Sequence, residues 1–135
     1  GYAFGSERVI SAIYAVRNSY NSYTMNMPSI LCGVEAVEDY DYFEKTRTAI
    51  MATRDEVKKK MEALGFNVLP SSANFLFAAH ESVPAEELFL MLREKHIYVR
   101  YFKQPRIQNY LRITIGTPEQ MNKFLEEVEK YLATK

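Results

Sequence analysis

The hydrophobic pattern of this 135-residue chain predicts an α+β fold, with helices preceding and flanking a small sheet. Three observations carry that expectation. Apolar residues recur at helical spacing before Gly65. From Phe66 onward short apolar runs of strand length appear between the helical stretches. The last two of these runs are joined by a tight connection, which favours an antiparallel sheet packed with helices over a doubly wound parallel one.

The elements follow in order. Residues 1–5 form a short apolar run closed by Gly5, which reads as a strand, and Ser6 can cap a helix starting at Glu7. Val9, Ile10, Ile13 and Val16 give that helix one apolar stripe. The tyrosine-rich, polar segment Asn18–Asn26 predicts a loop and the only boundary between subregions. Pro28 suits the first turn of a second helix carrying Ile30, Leu31, Val34 and Val37 and stopping near Glu38-Asp39. A longer helix follows from about Asp41, whose carboxylate can cap it while Glu44 reaches back. Phe43, Ile50, Val57 and Leu64 recur every seven residues there, Met61 joins the same face, and Gly65 is a natural stop. Such a helix runs about 36 Å.

Strand-like runs cover Phe66–Leu69 and Ala73–Ala79, separated by Pro70-Ser71-Ser72. An amphipathic helix over Ala85–Lys95 buries Ala85, Leu88, Phe89 and Leu92. Two further strands, Ile97–Phe102 and Tyr110–Ile115, are joined by Lys103–Asn109. Thr117-Pro118-Glu119-Gln120 combines a capping box with proline at the first helical position, and Met121, Phe124, Leu125, Val128 and Leu132 form the buried face of the last helix.

Composition narrows the function classes. With 47% hydrophobic and 25% charged residues the chain reads as an ordered globular domain of modest size. Seventeen basic residues balance seventeen acidic ones, so no long-range field favours nucleic acid or an anionic membrane. The one basic run, Lys58-Lys59-Lys60, lies on a predicted helix and reads as a solvated face. No stretch approaches the ~18 apolar residues of a membrane span. A single cysteine, Cys32, excludes an intrachain disulfide and agrees with a reducing cytoplasm. The start at Gly1, with no initiator methionine and a strand-like pattern, suggests an excised fragment.

Few residues suggest chemistry. His80 and His96 have no Cys, Asp or Glu at a metal-ligand spacing and read as surface or capping residues, so no metal site is expected. Cys32 reads as a small buried hydrophobe. Tyr20 and Tyr23 could stack on a ligand, although packing at a junction suits them better. No Gly-rich phosphate loop or nucleophile elbow is present. Two arginines are more informative. Alternation in Tyr110–Ile115 turns Arg112 away from the apolar face, and a hairpin symmetric about Arg106 sets Arg100 directly opposite it. Like charges in that position cost up to roughly 1 kcal/mol. An anion between or above them would relieve that cost; two exposed arginines in water are the other reading.

Leu111-Arg112-Ile113-Thr114-Ile115-Gly116-Thr117-Pro118-Glu119 resembles the closing strand and helix start of the histidinol-phosphate aminotransferases. Gly1-Tyr2-Ala3-Phe4-Gly5, Ser19-Tyr20-Asn21, Ser72-Ala73-Asn74-Phe75-Leu76-Phe77 and Ile97-Tyr98-Val99-Arg100-Tyr101-Phe102 resemble other segments of that family in its order, so the likeness covers essentially the whole chain. The resemblance implies part of a fold-type I pyridoxal phosphate enzyme. Residues 1–24 would be a remnant of the large cofactor domain (strand, helix, loop), and residues 25–135 the small C-terminal α+β domain. It implies that Arg112 grips the substrate α-carboxylate, and that Arg100, in the same pocket, meets the substrate phosphate or supports Arg112. The complete protein would be a cytoplasmic homodimer exchanging an amino group between histidinol phosphate and 2-oxoglutarate. The family's cofactor lysine matches no lysine here, so no catalytic or cofactor-binding residue is assigned and the chain alone is expected to be inactive. Aromatic aminotransferases and threonine-phosphate decarboxylases share the fold and remain alternatives, as does a non-catalytic ligand-binding module.

Overall fold

A computed structural model describes residues 2–21 and 25–135. The elements are α1 (Glu7–Tyr20), α2 (Met27–Glu38), α3 (Tyr40–Ala63), β1 (Phe66–Val68), β2 (Phe75–His80), α4 (Ala85–Glu94), β3 (Arg100–Tyr101), β4 (Leu111–Thr114) and α5 (Pro118–Leu132). The α+β class expected from the pattern is what the chain adopts. Two compact units are present, Gly1–Phe43 and Glu44–Lys135.

In the first unit, α1 and α2 bury none of their described residues. Asn26 caps α2, its side-chain oxygen accepting from the Ser29 amide at 2.9 Å, and Pro28 sits in the first turn as expected. Three expectations change here. Residues 2–5 form no strand, because a strand exists only through hydrogen bonds to a neighbour and no described segment pairs with them. Ser6 occupies the cap position of α1 without a side-chain hydrogen bond. The helix also runs three residues into the expected loop, to Tyr20, where the Ser19 hydroxyl bonds back to the Ala15 carbonyl at 2.8 Å. The boundary anticipated at residue 24, and Tyr23 with it, lie outside the described residues. Ahead of α3 the capping carboxylate belongs to Asp39, which accepts from the Tyr42 amide at 3.2 Å. Asp41 lies inside the helix, and Glu44 pairs with Arg47 at 2.6 Å.

The second unit holds the core. Its antiparallel sheet has the order β1-β2-β4-β3, so β4 lies between β2 and β3 although it follows both in sequence. Because β4 is antiparallel to each, β2 and β3 run parallel and α4 connects them as a split β-α-β unit. Alternation puts Leu76, Ala78, Leu111 and Ile113 on the covered face. They join Val57 and Met61 of α3, Leu88 and Leu92 of α4, and Phe124 and Val128 of α5 in one cluster. Phe43 and Ile50, members of the same seven-residue repeat on α3, remain exposed, so the repeat is buried only toward its C-terminal end. The α5 capping box is present in full: the Thr117 hydroxyl accepts from the Gln120 amide, and the Gln120 side chain accepts from the Thr117 amide.

The strands are shorter than their apolar runs. Only Arg100–Tyr101 of the expected Ile97–Phe102 pairs as strand, and β2 covers Phe75–His80 where Ala73–Ala79 was expected. The loop before β2 is tied down locally. The Ser71 hydroxyl accepts from the Ala73 amide and donates to the Phe75 carbonyl at 2.6 Å, while Arg54 donates to the Ala73 carbonyl at 3.1 Å.

Candidate functional site

Opposite the core, the sheet presents a face built from β2, β4 and β3. Leu111 and Ile113 point inward, so their neighbour Arg112 must point outward. Arg112 pairs directly with Arg100 on one side and with Phe77 on the other. The register therefore lines up Phe77, Arg112 and Arg100 across three strands, and both guanidinium groups leave the same face, as the symmetry about Arg106 required. Both arginines are exposed. Among the described residues neither forms an ion pair with a carboxylate.

Aromatic rings take the place of acids. The Arg112 guanidinium carbon lies 5.3 Å from the Phe75 ring centre and 5.8 Å from that of Phe102. The corresponding Arg100 atom lies 5.4 Å from the Phe102 ring centre. Phe77 stacks on Tyr110 at 4.7 Å and meets Phe102 edge-on at 6.4 Å. Each cation–π contact at an exposed site contributes about 0.5–1 kcal/mol. Three such contacts are enough to offset the ~1 kcal/mol repulsion of a like-charged cross-strand pair. The arrangement holds two fork-shaped donors side by side over an apolar floor, a geometry suited to a carboxylate or a phosphate.

The floor of Phe75, Phe77, Phe102 and Tyr110 was not singled out from the sequence. A signal existed, because Phe75 and Phe77 alternate with the core residues Leu76 and Ala78, and Tyr110 stands two residues from Arg112. The histidines lie elsewhere. His80 Nε2 donates to the Leu64 carbonyl at 3.0 Å, and its Nδ1 accepts from the amides of Ser82 (3.2 Å) and Val83 (3.1 Å), which fixes the tautomer and leaves no nitrogen for a metal. His96 adopts a left-handed backbone conformation after α4, a capping role as expected. Cys32, anticipated as buried, is exposed, because the helix that carries it buries nothing. No metal-ligand cluster occurs among the described residues.

Residues 1–128 match the family model for class I and II aminotransferases. The chain belongs to that family. A curated relative, the histidinol-phosphate aminotransferase of Brachyspira hyodysenteriae, is 46% identical over 98% of this chain. The chain spans about 37% of that relative's length. Among solved structures, the histidinol-phosphate aminotransferase of Sinorhizobium meliloti in complex with pyridoxal-5'-phosphate aligns with a TM-score of 0.81 at 18% identity, over 92% of this chain and 34% of its own. The L-threonine-O-3-phosphate decarboxylase of Porphyromonas gingivalis aligns with a TM-score of 0.56 at 28% identity, over 64% of this chain and 28% of its own. An aminotransferase cofactor of the pyridoxal type needs a lysine amine held out of bulk water. The lysines here do not fit that need: none is buried, and Lys58, Lys60, Lys95, Lys103, Lys130 and Lys135 lie in ion pairs.

Proposed function

We propose that this chain is the C-terminal part of a pyridoxal phosphate-dependent histidinol-phosphate aminotransferase and that its arginine face holds the anionic end of the substrate. Residues 1–24 then come from the large domain and residues 25–135 form the small one. The observation that carries the site's role is the register pair Arg100–Arg112, two guanidinium groups on one face with aromatic rings beneath them. Arg112 takes the α-carboxylate of glutamate or 2-oxoglutarate bidentately, which fixes that substrate relative to the reacting bond. Arg100 takes the phosphate or supports Arg112. Support for the substrate class comes from the 46% identity to the Brachyspira enzyme.

The complete protein, on this reading, is a homodimer acting in the cytoplasm on small molecules, histidinol phosphate with glutamate and 2-oxoglutarate as the exchanging pair. No helix among the described residues is long and apolar enough to cross a membrane. Since the lysines here do not fit the cofactor, the 135-residue chain alone is expected to show no transamination and no borohydride-trappable cofactor adduct.

The test uses the complete enzyme. Arg112→Ala is expected to lower kcat/KM for glutamate, the amino donor that carries an α-carboxylate, by tenfold to over a hundredfold, the ~1.5–3 kcal/mol of one charge-assisted hydrogen-bonded contact. Unchanged efficiency would exclude the role. A second reading, decarboxylation of threonine phosphate, draws on the 28% identity to the Porphyromonas enzyme. Carbon dioxide release from that substrate, without amino transfer to 2-oxoglutarate, would establish it instead.

A further inference from the structure

We propose that Phe102 is a positioning residue which presets both guanidinium groups of the arginine pair. The ring lies 5.4 Å from the Arg100 guanidinium carbon and 5.8 Å from that of Arg112, and it is the only ring among the described residues that both share. Two cations set opposite each other on adjacent strands repel, and without a counter-charge their flexible side chains would swing apart into water. A ring face carries negative quadrupole density and attracts both. Phe102 is itself braced edge-on by Phe77, which is stacked on Tyr110, so the shared ring is held by the sheet. An anion arriving at this face would find two donors already converged and would lose less side-chain entropy on binding. The anion's place in this account rests on the function proposed above; the ordering of the arginines does not.

The experiment separates the two. On the 135-residue chain, the arginine Nε–Hε resonances report side-chain order without any ligand, and titration with inorganic phosphate reports anion affinity. In the unsubstituted protein the Arg100 and Arg112 signals should be ordered and ring-shifted. Phe102→Leu keeps an apolar side chain but removes the quadrupole. It should release Arg100, loosen Arg112, which keeps the Phe75 ring at 5.3 Å, and weaken phosphate binding about five- to thirtyfold, the expected size of two such contacts. Phe102→Tyr should restore both readouts, which a purely packing role would not require. If Phe102→Leu does not fold, Phe102→Met carries the same comparison. Unchanged arginine order in the aliphatic variant would overturn the inference while leaving the anion site standing. Unaltered phosphate affinity in Arg112→Ala, or no phosphate binding by the unsubstituted chain, would instead remove the anion site, and the order measurement would still decide the role of Phe102.

Discussion

His96 stands one position beyond the C-cap of α4 with φ 58°. Its amide bonds to the Arg93 carbonyl at 3.0 Å and the Ile97 amide bonds to the Leu92 carbonyl at 2.9 Å, the reciprocal pattern that usually has glycine at this place. A side chain in the left-handed region costs roughly 1–2 kcal/mol, part of which a glycine repays in unfolded-state entropy. His96→Gly is therefore expected to stabilise the fold by about 0.5–1 kcal/mol, read as a rise in the urea midpoint at unchanged slope. Gly65 is the converse case. At φ 86° an added Cβ would approach His80 Nε2 to 3.2 Å, the atom that donates to the Leu64 carbonyl. Gly65→Ala should destabilise by about 1–2 kcal/mol from backbone strain, with a further loss if the His80 hydrogen bond yields. A neutral or stabilising result would mean that the α3–β1 turn tolerates another backbone conformation.

Among the elements, α5 depends most on its own sequence. Thr117→Ala removes one half of the capping box and should cost about 1 kcal/mol, checked by thermal unfolding. The other end of α5 is tied to α4. Glu87 accepts hydrogen bonds from Lys135 and Tyr131, and these partners, Lys135 first, hold its carboxyl below the usual range. A depressed folded value gives stability that is present above the unfolded glutamate pKa and lost as pH falls through the lower folded one. Glu87→Gln should accordingly lower stability at neutral pH, leave it nearly unchanged at acid pH where the glutamate is protonated, and so flatten the acid limb of the stability profile; an identical acid limb would show that this latch contributes nothing. The contrast between α5 and the strands explains what was legible in advance. The Thr117–Gln120 box and the apolar face from Met121 to Val128 are local, so the chain states them outright. Arg100 opposite Arg112 could be found by counting, because a short hairpin fixes its own register. The β2 part of the aromatic floor, Phe75 and Phe77, could not. Phe77 meets Arg112 only because β4 pairs with β2, and alternation tells which face a residue takes without telling which strand lies beside it. Likewise, the run Ile97–Phe102 has strand composition, but only the two residues that meet β4 become strand.

At the scale of the whole molecule, the core belongs to Glu44–Lys135 while Gly1–Phe43 buries none of its described residues. Val16 on α1 is 71% exposed and Val37 on α2 is 80% exposed, with Val9, Ile13, Ile30, Leu31 and Val34 also in water. Covering one such aliphatic side chain yields about 1.5–3 kcal/mol, a strong drive toward another surface. The isolated chain is expected to self-associate in light scattering, and deletion of residues 1–39 should give a monomer. A strictly monomeric intact chain at high concentration would refute this. The strand order has a consequence of another kind, in time. β4 is synthesised after β2, α4 and β3, yet it must enter between β2 and β3. Until it does, the two strands have no neighbour in common, and closing the sheet waits on a contact that is distant along the chain. Insertion of β4 should therefore limit the folding rate, so that Ile113→Val slows refolding in stopped-flow while changing unfolding little. A nascent chain paused after Asn109 would hold β2 with an open edge, the kind of transient surface that a chaperone or a neighbouring chain can capture.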